Sequence, residues 1–235
     1  MSDPLRIALV AEGPTDRIVI KAAIQAILHH RAFVLTQLQP EGSSVFGTLG
    51  AGWGGVYRWC KQAARRGAGR LAHDRLLFQN YDILVLHLDA DVADKPYEDI
   101  SIEPSQGDAA LPCALPCPPP ADTTNRLRVV LLSWCGEVAE PQRTVVCMPS
   151  KSIEAWVMAA LFPNDQSVRT GIECFPDPES RLGQQPRARR IRKKQCDYQD
   201  HSAELKGAWP RLLGNAALSE AQRFQNDFLA QAATM

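Results

Sequence analysis

Two apolar runs that each end in acid constrain this chain more than any other feature. Leu5 to Ala11 reads LRIALVA, rich in β-formers, and stops at Glu12-Gly13-Pro14-Thr15-Asp16, which combines turn chemistry with helix-start chemistry. Tyr81 to Leu88 reads YDILVLHL and delivers Asp89 and Asp91 at its end. A half-exposed strand alternates apolar and polar residues, whereas a nearly continuous apolar centre suits a parallel sheet covered on both faces. The pair predicts buried strands that carry carboxylates out of the core.

The intervening pattern supplies the rest of an α/β architecture. From Arg17 to Leu28 the residues Ile18, Val19, Ala22, Ala23, Ala26 and Ile27 recur at three- and four-residue steps, predicting a helix with one buried face. Ala32 to Leu38 predicts a second strand, and Val56 to Arg66 a second helix. Between them, Gly47 to Gly55 reads GTLGAGWGG; it lacks the lysine and the serine or threonine of a phosphate-binding loop and is expected to be a flexible connection. Arg126 to Val138 predicts a helix, Arg143 to Met148 a fourth strand, and Ser150 to Trp156 the start of another helix. This alternation predicts an open, parallel, four-stranded sheet flanked by helices, with ligands beyond the carboxyl ends of its strands.

Two segments stand outside the alternation. Ala93 to Thr124 is rich in proline, aspartate and small residues and includes Pro116-Cys117-Pro118-Pro119-Pro120, which predicts a proline-rich insertion. After Pro163 the pattern weakens until Ala203 to Leu213 and Ser219 to Ala233, both of helical character. The expected organisation is a metal-binding α/β domain over residues 1–162, with the insertion at about 93–124, and a basic, helical C-terminal extension over 163–235.

Composition narrows the partners. With 235 residues, 45% of them apolar, the chain can bury one main core. Lys plus Arg and Asp plus Glu both total 26, so no global field attracts nucleic acid and any polyanion contact is local. The local candidate is the run Arg187, Arg189, Arg190, Arg192, Lys193 and Lys194, which can grip phosphates or can equally be a solvated surface or a protein contact. No stretch approaches the roughly 18 apolar residues of a membrane span, and the first residues lack the basic flank of a signal peptide, so a cytoplasmic protein is expected. The seven cysteines are an odd number, several in apolar segments, and are expected to be reduced thiols; Cys113 and Cys117 frame half a zinc site without a matching pair.

The candidate chemistry lies at the strand ends. Glu12 follows the first strand, Asp89 and Asp91 the third, and Glu154 the fourth, and in a parallel sheet these ends share one edge. Carboxylates gathered there repel one another unless a cation neutralises them, and an oxygen-only donor set suits Mg²⁺ or Mn²⁺. Residues two apart on a strand project to one face, so Asp89 and Asp91 are expected to reach one ion while Ala90 points away. Each residue also has a plainer reading: Thr15 or Asp16 can cap the first helix, Glu154 can sit at a helix dipole, and Lys151 can be a solvated lysine. His87 reads as a core histidine or as support for the acids, and Trp156 and Trp209 read as packing residues.

IALVAEGPTD at Ile7 to Asp16, followed by ILVLHLDAD at Ile83 to Asp91, resembles the glutamate motif and the DxD motif of TOPRIM domains. Such domains occur in topoisomerases, DnaG-type primases, recombination-repair proteins and OLD-family nucleases; the likeness is greatest to OLD-like and small stand-alone bacterial TOPRIM proteins. It spans roughly Leu5 to Leu161 and implies a TOPRIM-like fold, with Glu12 as the family's glutamate, Asp89 and Asp91 as metal-binding aspartates and Asp16 as an auxiliary acid. Ser152 and Glu154 fall where OLD-like enzymes place further polar residues, with Lys151 a candidate for transition-state charge. The implied function is Mg²⁺- or Mn²⁺-dependent cleavage of DNA or RNA in genome defence or repair. Alternatives are a non-catalytic subunit that binds nucleic acid or an ATPase partner, the chain having no ATP-binding motif of its own, and phosphoryl transfer to a small nucleotide.

Overall fold

The computed structural model describes residues 3–40, 49–214 and 218–235. Four strands, β1 (Leu5–Val10), β2 (Phe33–Gln39), β3 (Ile83–His87) and β4 (Thr144–Cys147), form one sheet in the order β2-β1-β3-β4. Every pairing is parallel, with Ile7 opposite Leu35 on one side and Ile83 on the other, and Val85 opposite Val145. The expected α/β class, with an all-parallel four-stranded sheet flanked by helices, is therefore observed. Helices α1 (Pro14–Leu28), α2 (Gly52–Arg66), α3 (Arg75–Asn80), α4 (Pro120–Trp134), α5 (Glu154–Leu161), α6 (Gln166–Gly171), α7 (Pro178–Gly183), α8 (Gln195–Asp200), α9 (Ser202–Leu213) and α10 (Ser219–Ala232) surround it.

The two-residue period of the strands sorts the core into two layers. Ile7, Leu9, Ile83, Val85, Val145 and Cys147 face a cluster built with α1, α5, α9 and α10. Ala8, Val10, Leu84, Leu86 and Val146 face the other, built with α2 and α4. The segment after residue 163 is thus a wall of the main core rather than a separate body: Tyr198, Leu205, Trp209, Phe224 and Phe228 pack in the same cluster as β1 and α1. Trp209 meets Trp156 edge-on at 5.5 Å, consistent with the packing role expected of both.

The insertion is folded onto the second layer. Short 3-10 turns at Ala90–Asp94 and Tyr97–Ile100 lead into it, Tyr97 accepts the indole N–H of Trp134 at 2.8 Å, and its own hydroxyl donates to the carbonyl of Ala109 at 2.8 Å. The expectation of reduced thiols fails at one pair: Cys117 of the insertion is disulfide-bonded to Cys174 in the turn after α6, with Cα atoms 5.5 Å apart. Sequence spacing could not show this, because the partners lie 57 residues apart and meet only once the first layer is assembled. The bond also removes Cys117 from any zinc site with Cys113. Among the described residues no helix is long and apolar enough to cross a membrane.

The glycine-rich stretch divides. Residues 47 and 48 lie outside the described residues, whereas Gly52, Gly54 and Gly55 belong to α2, which starts earlier than the predicted Val56. Gly55 is there for space: a Cβ would stand 2.2 Å from the Gln39 amide nitrogen and 2.4 Å from the Gly50 carbonyl oxygen. Gly207, inside α9, has nothing within 4 Å of the equivalent position. The two sites should respond oppositely to alanine, although helix propensity alone favours both substitutions. Gly207→Ala is expected to stabilise by about 0.5–1 kcal/mol and Gly55→Ala to destabilise by about 1–3 kcal/mol, read from urea denaturation midpoints. Equal shifts of one sign would contradict this packing.

Candidate metal centre

The carboxyl edge of the sheet is closed by backbone pairings that outlast the strands. Leu88 N–H donates to the carbonyl of Cys147 at 3.1 Å, Ala90 N–H to Pro149 at 3.0 Å, and Asp91 N–H to Lys151 at 2.8 Å. On the other side the carboxylate of Glu12 reaches across from the end of β1, its Oε1 accepting the N–H of Asp89 at 2.8 Å. Asp89 Oδ1 in turn accepts the N–H of Ile153 at 2.9 Å. Glu12 and Asp89 are thereby fixed against each other, and neither Glu12 Oε2 nor Asp89 Oδ2 takes a hydrogen bond among the described residues.

Helix α1 brings a third carboxylate. Gly13 is its N-cap and Pro14 its first residue, a position where the missing N–H costs nothing. Asp16 Oδ2 accepts the Gly13 N–H at 2.7 Å, so the capping reading of this residue holds. The same oxygen lies 3.7 Å from Nδ1 of His87, whose Nε2 is 3.2 Å from Asp89 Oδ1. His87 is fully buried between the two acids, and neither ring nitrogen makes a well-directed hydrogen bond.

A fourth, Glu154, opens α5 and has no exposed surface. Its Oε1 accepts the hydroxyl of Tyr198 at 2.8 Å and lies 3.9 Å from Nζ of Lys193, while Oε2 is buried without a partner. Tyr198 and Lys193 come from the C-terminal wall, and their part here had no signature in the sequence.

Asp91 behaves differently from the expectation. The strand ends at His87, so the two-residue alternation does not extend to Asp91, which instead enters the 3-10 turn Ala90–Asp94. Its carboxylate is 46% exposed and accepts from Nζ of Lys95 at 2.8 Å. Lys151, in a left-handed conformation with φ 61°, lends its carbonyl to the Asp91 N–H and places Nζ 3.7 Å from Asp94. Ser152 Oγ is buried nearby without a partner.

The electrostatics follow from enclosure. Burial, then the charge of Asp89 and the weaker charge of Asp91, push the Glu12 carboxyl well above the usual carboxylate range. Burial does the same to Asp89, and Asp16 and Glu154 add to it, against the opposing pull of His87. For His87 burial works against the charged ring, but Asp89, Asp16 and Glu12 outweigh it and raise its pKa to about 9. Lys193 is likewise pulled up, against burial, by Glu154 and Glu179.

Half of the basic run is paired with acids. Arg189 pairs with Glu204 at 3.0 Å, Arg192 with Asp197 at 3.5 Å, and Lys193 with Glu179 at 2.8 Å, while Arg190 Nε donates to the Gln185 carbonyl at 3.3 Å. Arg187 and Lys194 are exposed. No group of three or more His, Cys, Asp or Glu among the described residues stands in a ligating arrangement. The donor set nonetheless suits a hard cation: all-oxygen carboxylates with spare oxygens on Glu12 and Asp89, and an orphaned Oε2 on Glu154. Scans of family models, of curated proteins and of solved structures return no match for this chain.

Because burial and Asp89 disfavour the charged form of Glu12, Glu12→Gln keeps an acceptor for Asp89 N–H without the cost of enclosing that charge. In chelator at neutral pH the variant is expected to match or exceed the wild type in thermal stability. Added Mn²⁺ should stabilise only the wild type, by about 2–3 kcal/mol at hundredfold excess over Kd. The same Mn²⁺ shift in both proteins would exclude Glu12 from cation binding.

Proposed function

We propose that this chain is a Mg²⁺- or Mn²⁺-dependent nuclease of TOPRIM type, hydrolysing phosphodiester bonds of DNA or RNA, with the site at the carboxyl edge of its sheet. One observation carries the reading: Glu12 and Asp89 meet through a 2.8 Å hydrogen bond with both carboxyls destabilised in their charged forms, ringed by Asp16 and Glu154. Clustering acids in an enclosed site without a counter-charge is costly, and a divalent cation is the direct compensation. The order of the motifs along the chain and the all-parallel sheet agree with the resemblance to TOPRIM domains.

On this reading Glu12 and Asp89 would hold the ion, with Asp91, Asp16 and Glu154 the further carboxylates that would complete one or two sites. Bound there, a divalent ion supplies Lewis-acid polarisation of a phosphoryl oxygen and a water of lowered pKa. His87, its pKa raised by these acids, sets positive charge between Asp89 and Asp16 from inside the core. Lys151, at the rim with 27% of its side chain exposed, is placed to meet charge developing on a phosphate.

A second reading rests on a different observation. Asp91 and Glu154 are already countered by Lys95 and Lys193, which suits a subunit that binds nucleic acid or an ATPase partner without cutting. The two readings separate in one assay. Purified protein with Mn²⁺ is expected to nick or cut DNA or RNA, and Asp89→Ala to lower the rate by at least about a hundredfold. Equal cutting by the variant would reject the mechanism, and no metal-dependent cutting alongside stable co-purification of an ATPase would favour the second reading.

A further inference from the structure

The chain is neutral overall, yet from Arg17 to Pro40 it contains no aspartate or glutamate, only Arg17, Lys21, Arg31 and the pair His29 and His30. Helix α1 accounts for the first half of this stretch. Its inner positions Val19, Ile20, Ala22, Ala23, Ile24, Ala26 and Ile27 are buried, so Arg17, Lys21 and Gln25, each four residues from the next, form its outer ridge. One more step along the ridge is His29, at the helix's C-cap.

At that end a cleft of about 600 Å³ opens, lined by Lys21, Gln25, His29, His30, Arg31 and Lys206 of α9, with no carboxylate among its lining residues. Arg31 is held by the carbonyls of Ala232 and Met235, but Lys21 and Lys206 have no acidic partner among the described residues, in contrast to Arg189, Arg192 and Lys193 of the basic run. The opposite end of α1 is the turn that seats Asp16 beside His87 and Asp89. The outer ridge of α1, about 18 Å long at 1.5 Å per residue and carrying Arg17 and Lys21, therefore leads from the cleft to the carboxylate edge.

We propose that this ridge and cleft, rather than the 187–194 run, are the track that holds the phosphate backbone of a nucleic acid strand. Arg17 and Lys21 stand one four-residue helical step apart, about 6 Å along the axis, a spacing suited to successive phosphates. Gln25, one step beyond Lys21, adds a neutral donor. The contacts are to the backbone, so the track is indifferent to base sequence. This inference rests on the nuclease reading only for the strand's destination.

The test measures binding of a short fluorescent single-stranded oligonucleotide in chelator, so that nothing is cut. The double variant Lys21→Glu/Lys206→Glu is expected to bind at least about tenfold more weakly and to flatten the dependence of log K on log salt by about 1.4, for two lost phosphate contacts. Arg187→Glu/Lys194→Glu, with the same change in net charge, should stay within about threefold of wild type. Equal losses in the two double variants, no loss in the first, or binding of the wild type to anionic lipid vesicles but not to the oligonucleotide would overturn the track. The same proteins assayed with Mn²⁺ separate the two ideas: cutting that ignores the first double variant sinks the track and spares the nuclease, while track-dependent binding without cutting does the reverse.

Discussion

The hydrogen bond from Asp89 N–H to Glu12 Oε1 organises the rest of the structure. It joins the residues that follow β1 and β3, adjacent strands of the sheet, at the point where their regular pairing has ended. A second bond, from Ile153 N–H to Asp89 Oδ1, ties in the segment after β4. Hydrogen bonds of this kind contribute about 0.5–1.5 kcal/mol each, which does not offset the desolvation of several acids crowded together. The chain supplies partial relief from its margins, with His87 beneath, Lys95 at the surface and Lys193 from the C-terminal wall. The Glu12–Asp89 centre is left with two carboxyls held above their usual range, and that residual imbalance is what a cation would remove.

Such an imbalance is tolerable only on a rigid support. Both faces of the sheet are covered, and the strand residues leading to the acids, Leu9, Val10, Val85, Leu86, Val145 and Val146, are fully buried. The C-terminal helices complete the layer over the face that bears His87, and they also furnish Tyr198 for Glu154. The disulfide between Cys117 and Cys174 adds a covalent link from the insertion to the same wall. Glu173, beside Cys174, accepts the N–H groups of Ser219 and Glu220 and so fastens the start of α10. Support of Glu154 is thus distributed over segments that are far apart in sequence.

The central strands were legible as nearly continuous apolar runs, and α1 because its apolar residues recur at three- and four-residue steps. Glu12, Asp16 and Asp89 were legible because chain order and a parallel sheet force strand ends onto one edge. What escaped was set by tertiary contact. Asp91 read as a strand residue, but β3 stops at His87 and the chain tightens into a 3-10 turn, which aims the carboxylate at Lys95. The cations of residues 187–194 read as a free patch, but acids placed nearby by α7, α8 and α9 occupy three of them. Gly55 read as part of a flexible link, since composition does not reveal that the Gly50 backbone passes against the helix. Tyr198 left no local trace at all, being one tyrosine in a short helix.

Equal numbers of acids and bases conceal how sharply they are segregated. Helix α1 shows it within one element: its first turn contributes Asp16 to the buried acids, and its solvent-facing ridge carries Arg17 and Lys21. A polyanion drawn along that ridge meets, at its end, an edge that repels it for as long as the carboxylates are uncompensated. On the proposed reading a cation seated at Glu12 and Asp89 reverses the sign of that edge. Cation and nucleic acid would then each strengthen the binding of the other by the same factor, as linkage requires of two ligands whose sites interact. The coupling would need no moving part, since it follows from placing a buried cluster of one charge at the end of an exposed ridge of the other.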